Sequence, residues 1–380
     1  MSQHQNNVEG KAKRGHSASE SVPLVVDLDG TLLRTDLLLE SGLRLIKQRP
    51  WLVLFMPFWL LRGRAYMKRK IFQQVQLDVS LLPPHEELIT WLRDEKARGR
   101  RLILATASDH QQACSVVEPL GLFDTVLGSD GQRNLKGKEK LKTIVAVCGE
   151  EFDYVGNSSS DLAIWRGCRH AILVNTSKRV ERSARRVGNV LRVFPPSLSR
   201  FQDILRSMRF DQWTKNLLLF VPAVTSHTIF NANVAGDSTL AFFSFGFAAS
   251  AAYILNDLLD LEEDRRHPIK KQRPLAAGRI LIGSGIVLVI TSLLASVAIA
   301  TLLPWTFVSV LFIYFILISL YSLLLKRVLV IDILVLATIY TLRIVAGYLA
   351  TGVPFSFWLL SFAFFLFLSL AASKRATDLL

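Results

Sequence analysis

Residues 280–325 form a run of 46 positions without one Asp, Glu, Lys, Arg or His. A helix crosses the hydrocarbon core of a bilayer in about 20 apolar residues, so the run is too long for one crossing. Pro304 divides it into two segments of about 20 residues each. The opposite extreme lies upstream, where 178–192 holds five arginines and a lysine. Together these stretches exclude both a single soluble globule and a wholly disordered chain.

The spacing predicts a polytopic, all-α transmembrane bundle over 211–380. Its six spans fall at 214–230, 238–257, 280–302, 305–325, 331–350 and 356–373. Charge gives an independent check. Loops 258–279, 326–330 and 374 onward carry all the Lys and Arg found in loops (Arg265, Arg266, Lys270, Lys271, Arg273, Arg279, Lys326, Arg327, Lys374, Arg375). Loops 231–237, 303–304 and 351–355 carry no Lys or Arg. The positive-inside rule therefore puts the N-terminal part and the basic loops in the cytoplasm, at the plasma (inner) membrane. The formal net charge of +14 is accounted for in this way, by anionic lipid rather than nucleic acid. Cys114, Cys148 and Cys168 show no CxxC or Cys/His spacing, so neither disulfides nor zinc are expected. Residues 1–20 read as a disordered tail, with no apolar segment for a cleavable signal.

Residues 21–194 alternate short apolar runs (23–28, 101–105, 125–128, 152–155, 171–174, 190–194) with helical stretches. That alternation predicts an α/β, Rossmann-like domain with a mostly parallel sheet. The longer piece at 36–98 predicts a helical cap. Within it, 51–61 is uniformly apolar and too short to span, which leaves a buried cap helix or a surface that dips into the membrane. The stretch 195–210, opening with Pro195-Pro196, reads as a basic juxtamembrane linker.

The first strand runs into Asp27-Leu28-Asp29-Gly30-Thr31. Ligands of open α/β sheets sit at strand C-terminal ends. Two carboxylates at i and i+2 there suit a nucleophile and a proton carrier working on one phosphate. In order follow Thr106 at a second strand end, Lys136 before Gly137, and Asn157-Ser-Ser-Ser-Asp161 at a third. This ordered set resembles the haloacid-dehalogenase (HAD) superfamily of phosphohydrolases. The resemblance implies Asp27 as nucleophile, Asp29 as general acid/base, and Mg²⁺ held by Asp27, Asp29 and Asp161. It also implies phosphate held by Thr106 and Lys136, with Lys138 and Lys140 competing for the lysine role. Where that family often has Asp, this chain has Asn157, an amide that coordinates through its oxygen or holds water.

A second acidic stretch closes the second span: Asn256-Asp257-Leu-Leu-Asp260-Leu-Glu-Glu-Asp264. In a helix, 256, 260 and 264 form one stripe, with Asp257 on the same side. Clustered carboxylates call for a cation, and Mg²⁺ bridging to a diphosphate fits hard oxygen donors. Arg266, Lys270 and Arg273 follow, placed to grip phosphate. NxxxDxxxD on a second span resembles the UbiA superfamily of intramembrane prenyltransferases. The resemblance extends to Tyr321 and Lys326 for diphosphate. The QWxKN entry at 212–216 and HPxKxxRP at 267–274 look most like the decaprenyl-phosphate phosphoribosyltransferase branch. That branch moves phosphoribose from phosphoribosyl diphosphate to a polyprenyl phosphate. Asp332 and Arg343, inside the fifth span, read as functional groups or an interhelical ion pair. The family has about nine spans, and its second acidic motif would begin near Lys374, Arg375 and Asp378. The expectation is thus either a fragment or a transferase half that is inactive.

The overall expectation is a bifunctional membrane enzyme that takes a polyprenyl lipid and a phosphorylated sugar or diphosphate donor. Two alternatives remain: an aromatic prenyltransferase of quinone or haem type, and a truncated, membrane-anchored phosphatase.

Overall fold

The computed structural model describes residues 22–196, 200–323 and 328–379. The tail expected to be disordered, and Lys326, lie outside the described residues. Strands β1 (Leu24–Val26), β2 (Leu102–Asp109), β3 (Thr125–Ser129), β4 (Asp153–Gly156), β5 (His170–Val174) and β6 (Val190–Phe194) form one sheet, ordered β3-β2-β1-β4-β5-β6. Every pairing is parallel. All six expected strands are present.

The short central strands are apolar on both faces because each face meets its own core. Leu24 and Val26 pack with Leu102, Leu104 and Leu88. Val25 points the other way, towards Ile103, Phe152, Tyr154 and Trp165. Strand order reverses at β1, which has β2 on one side and β4 on the other. Chain direction diverges there and leaves a crevice at the strand C-terminal ends.

The cap is shorter than the expected 36–98. Its last helix, Glu86–Ala97, buries Leu88, Ile89 and Leu92 in the sheet core, so it is a layer of the domain and not part of the cap. The cap proper holds the helices Leu37–Gln48 and Arg64–Gln74. Asp36 caps the former by accepting from the Leu39 amide at 3.0 Å. Between them, Pro50–Leu61 contains no buried residue, so the buried-helix reading fails.

The C-terminal part is helical. Five helices are long and apolar enough to cross a membrane: Ala232–Leu259, Ile282–Ala300, Trp305–Ser322, Val330–Thr351 and Phe357–Thr377. Ala232–Leu259 is the central one, and its small residues permit close packing. Ser244 and Ser296 donate to each other's carbonyls at 3.0 and 2.8 Å. At Gly246, a Cβ would stand 2.7 Å from the Trp213 ring. The span expected at 214–230 differs. It is a 3-10 helix, Phe210–Phe220, followed by Val221–Thr225. Polar Lys215 and Asn216 and the ring of Pro222 deny it a regular apolar helix. Laid end to end the two pieces reach about 30 Å, because the 3-10 form rises faster.

Residues 178–187 and 190–194 are a helix and the last strand of the α/β domain, and within the expected linker Arg200–Met208 is a helix docked on the membrane part. There Ser250 Oγ donates to Met208 O at 2.6 Å, and buried Asp203 accepts from Arg279 at 3.0 Å. Helix Leu37–Gln48 lies against the ends of the first and second long helices. Glu40 pairs with Arg265 at 2.6 Å, both buried, Lys47 reaches Asp260 at 2.7 Å, and Arg44 pairs with Glu262. The α/β domain is therefore clamped to the membrane part by ion pairs.

Candidate functional site

The first centre is a cavity of about 440 Å³ at the sheet switch point. Asp27 stands one residue beyond β1, its amide donating to Val155 O at 3.0 Å. Its carboxylate accepts from Lys140 Nζ at 2.7 Å and Thr31 Oγ1 at 3.3 Å. Asp29 accepts from Ser108 Oγ at 2.6 Å, from Thr106 Oγ1 at 3.3 Å and from the Leu37 amide at 2.9 Å. Between them and the next turn, Gly30 has φ +73°, and a Cβ there would sit 2.1 Å from the Asn157 amide nitrogen. Only glycine fits that close approach. Asp161 is buried and accepts from the Asn157 and Ser158 amides at 3.1 and 3.0 Å and from Tyr154 Oη at 3.2 Å.

Charges in this cavity tune one another. Burial, with the charge of Asp36, pushes the Asp29 carboxyl up to about 6. A carboxyl near that value can both give and take a proton at neutral pH. Burial opposes the Lys140 ammonium, but Asp27 and Asp161 outweigh it and hold it above the usual lysine range. Burial lowers Lys68, whose Nζ donates to Ala107 O at 2.7 Å. Arg64, Lys68, Lys136 and Lys140 thus face Asp27, Asp29, Asp36 and Asp161 across one space.

The sequence expectations fare unevenly here. Asp27, Asp29, Thr106 and Asp161 come together. Lys136 lines the cavity, but Lys140 makes the contact with Asp27, because the helix Lys138–Cys148 turns its first inward position onto β4. Ser108 and Lys68 escaped the sequence reading. Ser108 lies two residues beyond Thr106, the same i, i+2 spacing as Asp27 and Asp29, and that was a usable signal.

The second centre is a cavity of about 270 Å³ at the end of Ala232–Leu259. Asn256, Asp260 and Asp264 line it as one stripe, opposite Lys215, Lys270 and Arg273. Tyr321 lines it too. Asp257 is instead tied up by Arg209 at 2.6 Å and Arg273 at 3.0 Å, so it orients cations. Asp264 accepts from Arg273 at 2.7 Å, and burial raises its carboxyl despite that partner. Arg266 lies on the exposed face, paired with Glu262 and Asp78 and off the cavity. Arg343 is buried and donates to Asn216 Oδ1 and Tyr314 Oη, both at 3.0 Å, while Asp332 pairs with Arg375. Arg209 was missed. It carries a left-handed backbone, φ +51°, a strained conformation for a side chain of its size.

Among the described residues no three His, Cys, Asp or Glu side chains close on one point. The donors fit Mg²⁺ in kind, since both cavities offer hard oxygens, Asp27, Asp29, Asp161 and Asn157 at one and Asn256, Asp260 and Asp264 at the other.

Known proteins divide the chain in the same place. Residues 24–166 match the haloacid dehalogenase-like hydrolase family and 219–379 the UbiA prenyltransferase family. Protein y4nM of Sinorhizobium fredii is 36% identical over 359 residues, which cover 94% of this chain and 69% of that one. Decaprenyl-phosphate phosphoribosyltransferase of Corynebacterium glutamicum is 34% identical over 189 residues, 49% of this chain and 57% of that one. This chain therefore spans little more than half the length of that relative. A solved UbiA homologue of Archaeoglobus fulgidus, bound to DMAPP and Mg²⁺, is 23% identical. It aligns with a TM-score of 0.42 over 46% of this chain and 64% of its own.

Proposed function

The chain belongs to the family of y4nM, an HAD hydrolase region joined to a UbiA prenyltransferase region in an integral membrane protein, and from that premise we propose a two-step enzyme acting on one lipid. The UbiA centre transfers phosphoribose from phosphoribosyl diphosphate to a polyprenyl phosphate, and the HAD centre removes the 5-phosphate that survives transfer. Both centres face the cytoplasm.

At the HAD centre, a carboxylate oxygen of Asp27 attacks phosphorus and the ester oxygen leaves. Asp29 gives its proton to that oxygen. It then takes one from the water that attacks the aspartyl-phosphate, which releases inorganic phosphate and restores both carboxyls. Ser108 and Thr106 hold one Asp29 oxygen and the Leu37 amide holds the other, which fixes the carboxyl in place. Lys140 offsets charge on Asp27 and on the phosphoryl oxygens. Bound Mg²⁺ would be held by Asp27, Asp161 and the Asp29 carbonyl, and would neutralise phosphate charge. At the UbiA centre, Asn256, Asp260 and Asp264 would hold Mg²⁺, while Lys215, Lys270 and Arg273 bind the diphosphate that departs.

The observation that carries the reading is the placement of Asp29. It sits beside the buried Asp27–Lys140 pair, with its carboxyl at about 6. The test is hydrolysis of ribose 5-phosphate by the purified full chain with Mg²⁺. Asp27→Asn should lower turnover by about 10⁴-fold, and turnover close to wild type refutes the assignment.

A further inference from the structure

Besides Leu60, which lines the HAD cavity, the segment Pro50–Leu61 exposes Trp51, Leu54, Phe55, Phe58 and Leu61, each between 51 and 85%. Their spacing is i, i+3, i+4, i+7 and i+10, a single stripe. The opposite side is already used, because Leu52, Met56 and Trp59 pack on Leu45, Ile71 and Val75 of the cap. The stripe is therefore not a core face left over from folding; the cap is complete without it. Scattered exposed apolar residues need no explanation, but five aligned large ones do.

Position says what covers them. The helix that leads into the segment has Lys47 Nζ 2.7 Å from Asp260, directly after the last residue of the membrane helix Ala232–Leu259. Pro50 is three residues on, within about 10 Å along any chain path. The stripe thus begins near the end of that membrane helix. Arg49 and Arg62 bracket it, cations at both ends of an apolar face. That is the pattern of an interfacial element on anionic lipid.

We propose that Pro50–Leu61 is a monotopic strap that buries its Trp51–Leu54–Phe55–Phe58–Leu61 face in the same lipid leaflet that holds the ends of the spans. Leu60 and Arg64, at the end of the strap, line the HAD cavity with Asp27. The strap thereby sets the mouth of that cavity at the head-group level, so that a phosphate on a lipid reaches Asp27 without leaving the leaflet. This last consequence rests on the phosphatase reading; the strap itself does not.

The experiment uses the full chain in phosphatidylcholine–phosphatidylglycerol vesicles, in a background without native cysteines. Bimane is placed at Phe58→Cys, Leu61→Cys and, as an exposed control, Asp94→Cys. Lipids brominated on the acyl chain should quench 58 and 61 but not 94, and aqueous iodide should do the reverse. Iodide quenching of all three, or protection of 58 and 61 without quenching by bromolipid, overturns the strap. The second outcome would mean a protein partner or a second copy. A second arm uses the triple variant Leu54→Ser, Phe58→Ser and Leu61→Ser. It should hydrolyse vesicle-borne polyprenyl-phosphoryl ribose 5-phosphate about tenfold more slowly and soluble ribose 5-phosphate at the wild-type rate. Equal loss on both substrates overturns the positioning role. A wild type inert towards both refutes the phosphatase reading instead, and bromolipid quenching still decides the strap.

Discussion

The two cavities each set carboxylates beside cations, with different arrangements of charge. At the sheet, one buried lysine pairs with Asp27, and hydroxyls and backbone amides hold the other carboxyls. At the membrane face, arginines do the work: Arg209 and Arg273 share Asp257, and Arg273 also holds Asp264. The sheet centre is assembled by strand ends whose positions the fold fixes. The membrane centre is assembled by side chains from several helices, and one of its carboxylates, Asp260, is also gripped by Lys47 of the other domain. A preorganised site loses its chemistry when one group is lost. An ion-pair cluster shared between domains should lose docking as well.

The largest expected effect tests the single lysine. Lys140→Met should lower phosphatase kcat by about 10³-fold, since it strips the buried partner from Asp27. A variant within a few-fold of wild type would hand its role to Lys136. Next comes the clamp. Glu40→Ala leaves the buried Arg265 guanidinium without its carboxylate and should cost about 3 kcal/mol, read as a lower denaturation midpoint. An unchanged midpoint would mean that the domains are not held by that pair. Ser108→Ala should then reduce phosphatase kcat about tenfold with little change in KM, because it frees the Asp29 oxygen rather than removing a substrate contact. Smallest is Lys136→Met, which should change either parameter only a few-fold; a larger loss would restore the original expectation for that residue.

What was legible in the sequence follows the range of the interactions. The strand ending in Asp27 and Asp29 is a local pattern, and it holds. The 256–260–264 stripe is set by helical geometry alone, and it too lines one cavity. Choosing Lys140 over Lys136 required knowing that the helix begins at Lys138 and faces β4, a packing fact. Asp257 lies close to the stripe in sequence, yet two arginines from other segments claim it. The first span was misjudged because hydropathy does not register that Asn216 is buried to meet Arg343. The stretch 195–210 reads as a linker because its polar and basic residues and Pro195-Pro196 hide the helix Arg200–Met208, which is fixed only by contacts with Ser250 and Arg279.

The central claim is that two centres in one chain act in succession on one lipid. It is tested most directly in vesicles holding the full chain, a polyprenyl phosphate and phosphoribosyl diphosphate labelled in its 5-phosphate. The wild type should release the label as inorganic phosphate. Asp27→Asn should leave it on a lipid, and Asp264→Asn should give no labelled lipid at all. Labelled lipid from Asp264→Asn, or none from Asp27→Asn, would contradict the account.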